Sequence, residues 1–187
     1  MECEAGWKPA LHTLALRFGG CVGGPRRGNF LRDGPAVNPA ISRDELNRLL
    51  NAMIPFAQDM LGKYGQFVPF AGVLNAKGEI ELLGGFADNE NVTAQEIHDV
   101  LLDGLRQGAC EGKYRATGLC ADVHVRRGEA DQGSDAIGVS LEHSDGTALD
   151  VYLPYTKPAP GQIEYGELFG TGAAVRVFTA PPAPPPA

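Results

Sequence analysis

Apolar residues recur at the spacing of an amphipathic helix in two stretches of the chain. The first stretch begins near Ile41 and continues to Leu61, and the second begins near Val92. Each opens with a capping box, in which a Ser or Thr side chain and the side chain of a Glu three residues later each accept a backbone N–H that the helix leaves free. The two boxes are Ser42-Arg43-Asp44-Glu45 and Thr93-Ala94-Gln95-Glu96. The pattern therefore predicts two helices, and Pro55 predicts that the first is kinked or divided.

Between and after these helices, the apolar residues follow the two-residue period of β-strands. The segment 66–74 is apolar on both alternating faces, which is typical of a strand in the interior of a sheet. The segments 136–143 and 148–155 alternate across a Ser144-Asp145-Gly146 turn, so their apolar residues should share one face. The predicted strands are 66–74, 79–86, 114–126, 136–143 and 148–155, with a further short strand within 170–178.

The elements follow the order helix, two strands, helix and three or four further strands, which predicts an α+β fold. Short hairpin connections favour antiparallel pairing, so we expect a mostly antiparallel sheet of five or six strands. We expect both helices to pack on one face of that sheet and to enclose Leu49, Leu101, Val139 and Val151 in one interior. This order of elements is similar to that of the roadblock and profilin folds, although a shared order implies no activity.

The two ends of the chain lack this regularity. Residues 1–40 contain clustered glycines without a helical or strand period, which predicts a disordered or loosely packed lead. Residues 179–187 are rich in proline, which predicts an extended, disordered tail. We therefore expect one folded domain at residues 41–178.

The composition fits a single globular core and narrows the range of partners. Of the 187 residues, 43% are apolar and 21% are charged, as in ordinary globular domains. The formal net charge is -7; residues 42–187 hold eleven basic and twenty acidic side chains, whereas residues 1–41 carry a small positive excess. This acidity opposes binding to nucleic acid or to an anionic membrane surface, so we expect neither. A protein partner or a second copy of the chain is the expected partner.

The cysteines and the apolar runs indicate the compartment. Cys3, Cys21, Cys110 and Cys120 have neither a Cys-x-x-Cys spacing nor the density of a disulfide-rich secreted domain, so we interpret them as separate thiols. No stretch approaches the roughly 18 apolar residues of a membrane-spanning helix, and the first residues lack the pattern of a signal peptide. These features predict a protein of the cytosol.

Several short segments resemble a group of small bacterial proteins of unassigned role. The resemblance rests on Phe67-Val68-Pro69-Phe70, Asp135 to His143, Leu153-Pro154-Tyr155 and Tyr165-Gly166-Glu167-Leu168-Phe169. It covers residues 42–178. It implies a small bacterial α+β protein, and it implies no reaction, ligand or site residue.

Polar residues on two predicted strands form the main candidate site. Asp122 and His124 lie two residues apart on one strand, and Glu142 and His143 end a later strand. If these side chains converged, a His and a carboxylate could act as base and orienting acid of a small enzyme, or could hold a polar ligand. A cross-strand pair of His124 with Glu142 is one such arrangement.

Other interpretations explain the same polar residues without a site. His143 can bond to the adjacent turn, and Glu142 can form a cross-strand ion pair with Arg126. A metal shared by Cys120 and His124 is disfavoured, because these residues lie about 13 Å apart on a regular strand. The same residues can therefore be interpreted either as a site or as the solvent-exposed face of a sheet.

The second predicted helix carries the candidate metal ligands. Asp99 and Asp103 are four residues apart, which places both carboxylates on one side of the helix. One helix offers only these two ligands, and a solvated acidic face or a salt bridge from Arg106 to Asp103 also explains them. Gly170-Thr171-Gly172 lacks the third glycine and the following helix of a dinucleotide-binding loop. The sequence therefore predicts no cofactor.

Two classes of function remain open. We expect a small interaction or regulatory module that acts through a free sheet face or edge and self-associates as a homodimer, since no catalytic motif is found. The alternative is a small enzyme or ligand-binding protein with a polar site around His124, Glu142 and His143. This alternative requires those side chains to converge on a pocket.

Overall fold

The computed structural model describes residues 39–84, 92–126, 133–159 and 161–179, which fall within one compact unit. The described helices are α1 (Pro39–Tyr64) and α2 (Ala94–Cys110). The described strands are β1 (Phe70–Asn75), β2 (Ile80–Gly84), β3 (Tyr114–Val125), β4 (Ser134–His143), β5 (Ala148–Thr156), β6 (Glu164–Tyr165) and β7 (Phe169–Gly172). The predicted lead and tail lie outside the described residues, apart from residues 39–40 at the start of α1 and residue 179.

The strands form one antiparallel sheet. Its order is β2-β1-β3-β4-β5-β6, and β7 also pairs with β5. All strand pairs within the described ranges are antiparallel. The α+β class, the antiparallel sheet and the order of the first elements are thus confirmed. The last part of the sheet contains two short strands, β6 and β7, where the sequence predicted one, because strands of two and four residues are too short to show an alternating pattern.

The two helices lie on opposite faces of the sheet, so the expectation that they share one face is wrong. Successive side chains of a strand point to opposite sides. On β1, Phe70 and Leu74 pack in the cluster that contains α1, whereas Ala71 and Val73 pack in the cluster that contains α2. A strand that is apolar on both faces needs cover on both sides. The sequence of β1 therefore favours this arrangement.

The four residues expected in the interior are all buried. Leu49 is 0% exposed, Val139 1%, Val151 7% and Leu101 8%. Leu101 belongs to the α2 cluster and the other three to the α1 cluster, because the sheet separates the two sides of the core. Neither described helix combines the length and the apolarity needed to cross a membrane.

α1 packs closely on the sheet because glycines lie beneath it. Met53 of α1 is fully buried, and it faces Gly72 of β1 and Gly118 of β3. A methyl group on Gly72 would lie 2.8 Å from the Met53 sulfur, and one on Gly118 would lie 2.5 Å from it. Side chains larger than hydrogen at these two positions would therefore force the buried Met53 side chain to shift.

The two predicted capping boxes have different outcomes. In α2 the box is present: Thr93 Oγ1 accepts the N–H of Glu96 at 3.2 Å, and Glu96 Oε2 accepts the N–H of Thr93 at 2.8 Å. For α1 the prediction of a capping box is wrong, because the helix begins at Pro39, before Ser42. Proline suits the first position of a helix, where an N–H would have no partner within the helix. α1 also continues through Pro55 as one undivided helix.

Candidate functional site

The structure does not bring the four predicted site residues together. On the β3–β4 ladder, His143 is opposite Ala116 and His124 is opposite Asp135. The two histidines therefore lie at opposite ends of the ladder, about 26 Å apart at the rise of a strand. Glu142 and His143 are neighbours on β4, so their side chains point to opposite faces of the sheet. These four side chains therefore do not converge on one pocket, as the enzyme alternative requires.

Asp122 and His124 contact neighbouring strands and not each other. His124 Nδ1 lies 3.1 Å from Asp135 Oδ1, and both side chains are more than half exposed. The predicted pair of His124 with Glu142 is therefore wrong. Asp122 accepts the hydroxyl of Tyr155 at 2.8 Å, and burial together with this carboxylate raises the pKa of Tyr155. These contacts join β3 to β4 and β5, and they stabilise the sheet.

Glu142 holds the C-terminal segment against the sheet. Its side chain is 5% exposed, and its Oε2 accepts the backbone N–H of Arg176 at 2.9 Å and that of Val177 at 2.8 Å. The register places Glu142 opposite Thr117, so the predicted ion pair with Arg126 is also wrong. Buried N–H groups need acceptors. Glu142 therefore anchors a segment that follows it by more than thirty residues.

His143 lies in a buried polar cluster between α1 and the β4–β5 turn. Its Nε2 lies 3.0 Å from Glu45 Oε2, and its Nδ1 lies 3.1 Å from Asp145 Oδ1. Ser42 donates its hydroxyl to Asp145, and Arg115 pairs with Glu45 Oε1. Ser42 and Glu45 reach this cluster together because residues three apart share one side of a helix. The prediction that His143 contacts the turn is confirmed, and the cluster fastens α1 to that turn.

Asp145 is held in its ionised form by this cluster. Burial alone would raise the pKa of its carboxyl, but hydrogen bonds from Ser42 and Thr147, together with the nearby His143, outweigh burial. The result is a pKa of about 2, below the ordinary value of 3.8. Because the fold favours the ionised carboxylate, Asp145 contributes to stability at neutral pH.

The acidic residues of α2 have separate partners. Asp99 accepts the side-chain amide of Gln95 at 2.8 Å. Asp103 pairs with Arg106 at 3.0 Å, which confirms the predicted salt bridge. Within the described ranges, no three His, Cys, Asp or Glu side chains are placed to hold a metal ion together. Burial raises the pKa of the Cys120 thiol, so this cysteine is not a ready thiolate ligand.

The outer edge of β2 presents backbone groups that no described strand uses. β2 pairs with β1, and within the described ranges it has no second strand beside it. Alternate residues of a strand bond to the same neighbour, and the hydrogen bond from the N–H of Asn75 to the carbonyl of Glu79 fixes which ones bond to β1. The N–H and C=O groups of Ile80, Leu82 and Gly84 consequently point away from β1.

A cleft of about 350 Å³ opens on the α2 face of the sheet. Leu119, Ala121 and Val123 of β3 form its floor, and Asp150 and Arg176 line one side. Other lining residues are Phe67, Gln95, His98, Ser140 and Tyr152. Asp122, a candidate site residue from the sequence, also lines the cleft, whereas the other lining residues come from several segments that no sequence pattern joins. The cleft and the β2 edge are the two features that offer a surface for binding.

No protein-family model, no curated protein and no solved structure matches the chain. The expected kinship with small bacterial proteins of unassigned role therefore stays a prediction, and so does the likeness to the roadblock and profilin folds. The function of the protein can therefore be argued only from the contacts of the described residues.

Proposed function

We propose that this protein is a cytosolic interaction module that pairs with a second copy of itself along the outer edge of β2. The outward backbone groups of Ile80, Leu82 and Gly84 carry this proposal, because an unpaired edge strand is a template for another strand. Such pairing would join two sheets into one continuous antiparallel sheet. The protein would then act as a homodimer, as the sequence leads us to expect.

The sequence of β2 is complementary to itself in an antiparallel register. With Leu82 at the two-fold axis, Leu82 would face Leu82 of the second copy, and Ile80 would face Gly84. These pairs all use the outward backbone groups, so about six backbone hydrogen bonds would form. Glu81 would lie opposite Leu83, so like charges would not face each other directly.

The side chains of β2 also favour pairing. Many proteins protect their edge strands with Lys, Pro or a β-bulge, and Ile80–Gly84 contains none of these. Leu82 is 38% exposed, and the single charged side chain, Glu81, is held by the side-chain amide of Asn75 at 2.9 Å. The opposite edge differs, because β6 and β7 cover β5. The β2 edge is therefore the better template for a second strand.

A charge at the centre of the edge should separate the two copies. We expect Leu82→Lys to convert a dimer into a monomer in light scattering after size-exclusion chromatography, because two ammonium groups would meet at the axis. Val100→Lys is the matched control, since Val100 is an apolar residue of α2 that is 58% exposed. The control variant should remain dimeric.

Two results count against this proposal. One is a wild-type chain that remains monomeric at the highest concentration at which it stays in solution. The other is a Leu82→Lys variant that has a native circular dichroism spectrum and is still a dimer. Loss of the dimer in Leu82→Lys but not in Val100→Lys supports the pairing of β2.

A further inference from the structure

The guanidinium of Arg176 is held over the cleft without a hydrogen bond of its own. Its backbone is fixed on both sides, because its N–H donates to Glu142 and its carbonyl accepts Nε of Arg106, both at 2.9 Å. The guanidinium forms ion pairs with Asp150 at 3.8 Å and with Glu142 at 4.0 Å; both distances are longer than a hydrogen bond, so within the described ranges its N–H groups have no hydrogen-bond acceptor. A positioned guanidinium with open donors suits a carboxylate ligand.

Asp150 offers the opposite charge beside Arg176. Its Oδ1 accepts the hydroxyl of Ser140 at 2.6 Å, while its Oδ2 has no hydrogen-bond partner within the described ranges. The Asp150 side chain is 26% exposed and lines the same cleft. A carboxylate oxygen without a hydrogen bond thus lies next to a guanidinium that only two long ion pairs hold. Such a pair can bind a ligand whose ammonium and carboxylate are attached to one carbon atom.

The remainder of the cleft is small and combines apolar with polar side chains. Leu119, Ala121 and Val123 form the floor, and Phe67 lines it from the segment before β1. The volume of about 350 Å³ is near the lower end of the range for small-molecule sites, roughly 300–1,000 Å³. The first turn of α2 lines the cleft at Ala94 and Gln95. A small ligand with an apolar body fits these walls.

We infer that the cleft binds a free α-amino acid with an apolar side chain. The ligand carboxylate accepts from Arg176, its ammonium donates to Asp150, and its side chain covers Leu119 and Val123. The ligand carries no net charge, and each of its two charges has a partner of opposite sign among the residues that line the cleft. This site lies on the α2 face of the sheet and is separate from the β2 edge, so it stands independently of self-association.

Calorimetric titration of the full chain with L-leucine and L-phenylalanine tests this inference. Derivatives of the tighter binder separate its two charges: the N-acetyl derivative lacks the ammonium, and the carboxamide lacks the carboxylate. We expect each derivative to bind at least about tenfold more weakly than the parent amino acid, because each loses a charge-assisted hydrogen bond.

Variants of the two charged residues supply a second readout. Arg176→Gln and Asp150→Asn should each weaken binding of the same amino acid at least about tenfold. Arg43→Gln is the control, because Arg43 is exposed on α1, and it should bind as the wild type does. In NMR spectra of the wild-type chain, the amino acid should shift the amide signals of Ala121 and Gly138, which line the cleft.

Three results would overturn the amino-acid site. The first is a wild-type chain that binds neither amino acid. The second is an N-acetyl derivative that binds as tightly as its parent, since Asp150 would then have no role. The third is an Arg176→Gln variant with a native circular dichroism spectrum and unchanged affinity. The derivative titrations use only the wild-type chain, so they decide the question even if a variant fails to fold.

Discussion

At the scale of single residues, three buried acids connect segments that are distant in sequence. Glu142 holds the backbone of Arg176, and Glu45 joins α1 to His143. Asp145 closes the same cluster from the β4–β5 turn. A buried carboxylate is costly unless its oxygens are paired. Each of these carboxylates is therefore stabilised in the interior by its partners, and each partner would lose a hydrogen bond or an ion pair without the carboxylate.

Removal of the Glu142 carboxylate should loosen the C-terminal segment. Glu142→Ala leaves the N–H groups of Arg176 and Val177 without their acceptor. Each unsatisfied buried donor costs about 1–3 kcal/mol, so we expect the free energy of unfolding in urea to fall by about 2–4 kcal/mol. Glu164→Ala, at an exposed position of β6, should change it by less than about 0.5 kcal/mol. Equal effects of the two substitutions would argue against the anchor.

Asp145 should make stability sensitive to acid. Its pKa of about 2 in the folded protein lies below the ordinary 3.8, so folding favours the ionised form. This stabilisation is complete above about pH 5 and is lost as the pH falls from about 4 toward 2. Asp145→Asn should therefore unfold at a lower urea concentration than the wild type at neutral pH. This gap between the two urea midpoints should shrink as the pH falls from about 4 toward 2.

Asp44→Asn, at an exposed position of α1, is the control for this pH series. Its urea midpoint should follow that of the wild type without the gap that Asp145→Asn shows at neutral pH. If the gap between wild type and Asp145→Asn stays constant down to about pH 2, the carboxylate of Asp145 is not the titrating group.

At the scale of elements, apolar periodicity predicts β3, β4 and β5 closely, whereas it places the starts of β1 and α1 poorly and misses β6. β5 begins at Ala148, where the alternation in the sequence begins. α1 begins before its predicted capping box, and Ser42 and Glu45 bond instead to residues 103 and 98 positions away. A local motif cannot reveal contacts over such separations. The box at Thr93, which lies on the surface, follows the local rule.

The cleft could be predicted only in part for a similar reason. The register that pairs Val139 with Val151 also pairs Ser140 with Asp150, so the sequence implies a polar pair on the other face of the sheet. The position of Arg176 depends on the path of the chain after β7, which no periodicity describes. The site therefore combines a residue pair that strand patterns predict with one that only the tertiary fold supplies.

Close packing of α1 on the sheet should make Gly118 intolerant of a side chain. A methyl group there would lie 2.5 Å from the Met53 sulfur and 3.2 Å from a methyl carbon of Leu141. We expect Gly118→Ala to lower the free energy of unfolding by about 1–3 kcal/mol, as overpacking does. Guanidinium chloride unfolding measures this change.

Gly104→Ala is a control for which we expect the opposite change in the free energy of unfolding. A methyl group on Gly104, in α2, meets nothing within 4 Å. Alanine is favoured over glycine inside a helix by about 0.5–1 kcal/mol, so this variant should be more stable than the wild type. A Gly118→Ala protein that is as stable as Gly104→Ala would exclude tight contact between Met53 and β3.

At the scale of the whole molecule, one sheet carries a helix on each face and ends, within the described ranges, at β2 on one side and at the short strands β6 and β7 on the other. α1 and α2 occupy the two faces, so the free sheet face expected from the sequence is reduced to the cleft. The net charge of -7 opposes contact between copies, although salt screens such repulsion beyond about 8 Å under physiological conditions. Short-range strand pairing at the apolar β2 edge is the contact best able to overcome it.

Amide hydrogen exchange at single-residue resolution tests this pairing most directly. The amides of Ile80, Leu82 and Gly84 point away from β1, whereas those of Glu81 and Leu83 already donate to it. We predict that exchange at the first three slows as the protein concentration rises, while exchange at Glu81 and Leu83 changes little. Exchange at Ile80, Leu82 and Gly84 that is independent of concentration would contradict the pairing of two copies along β2.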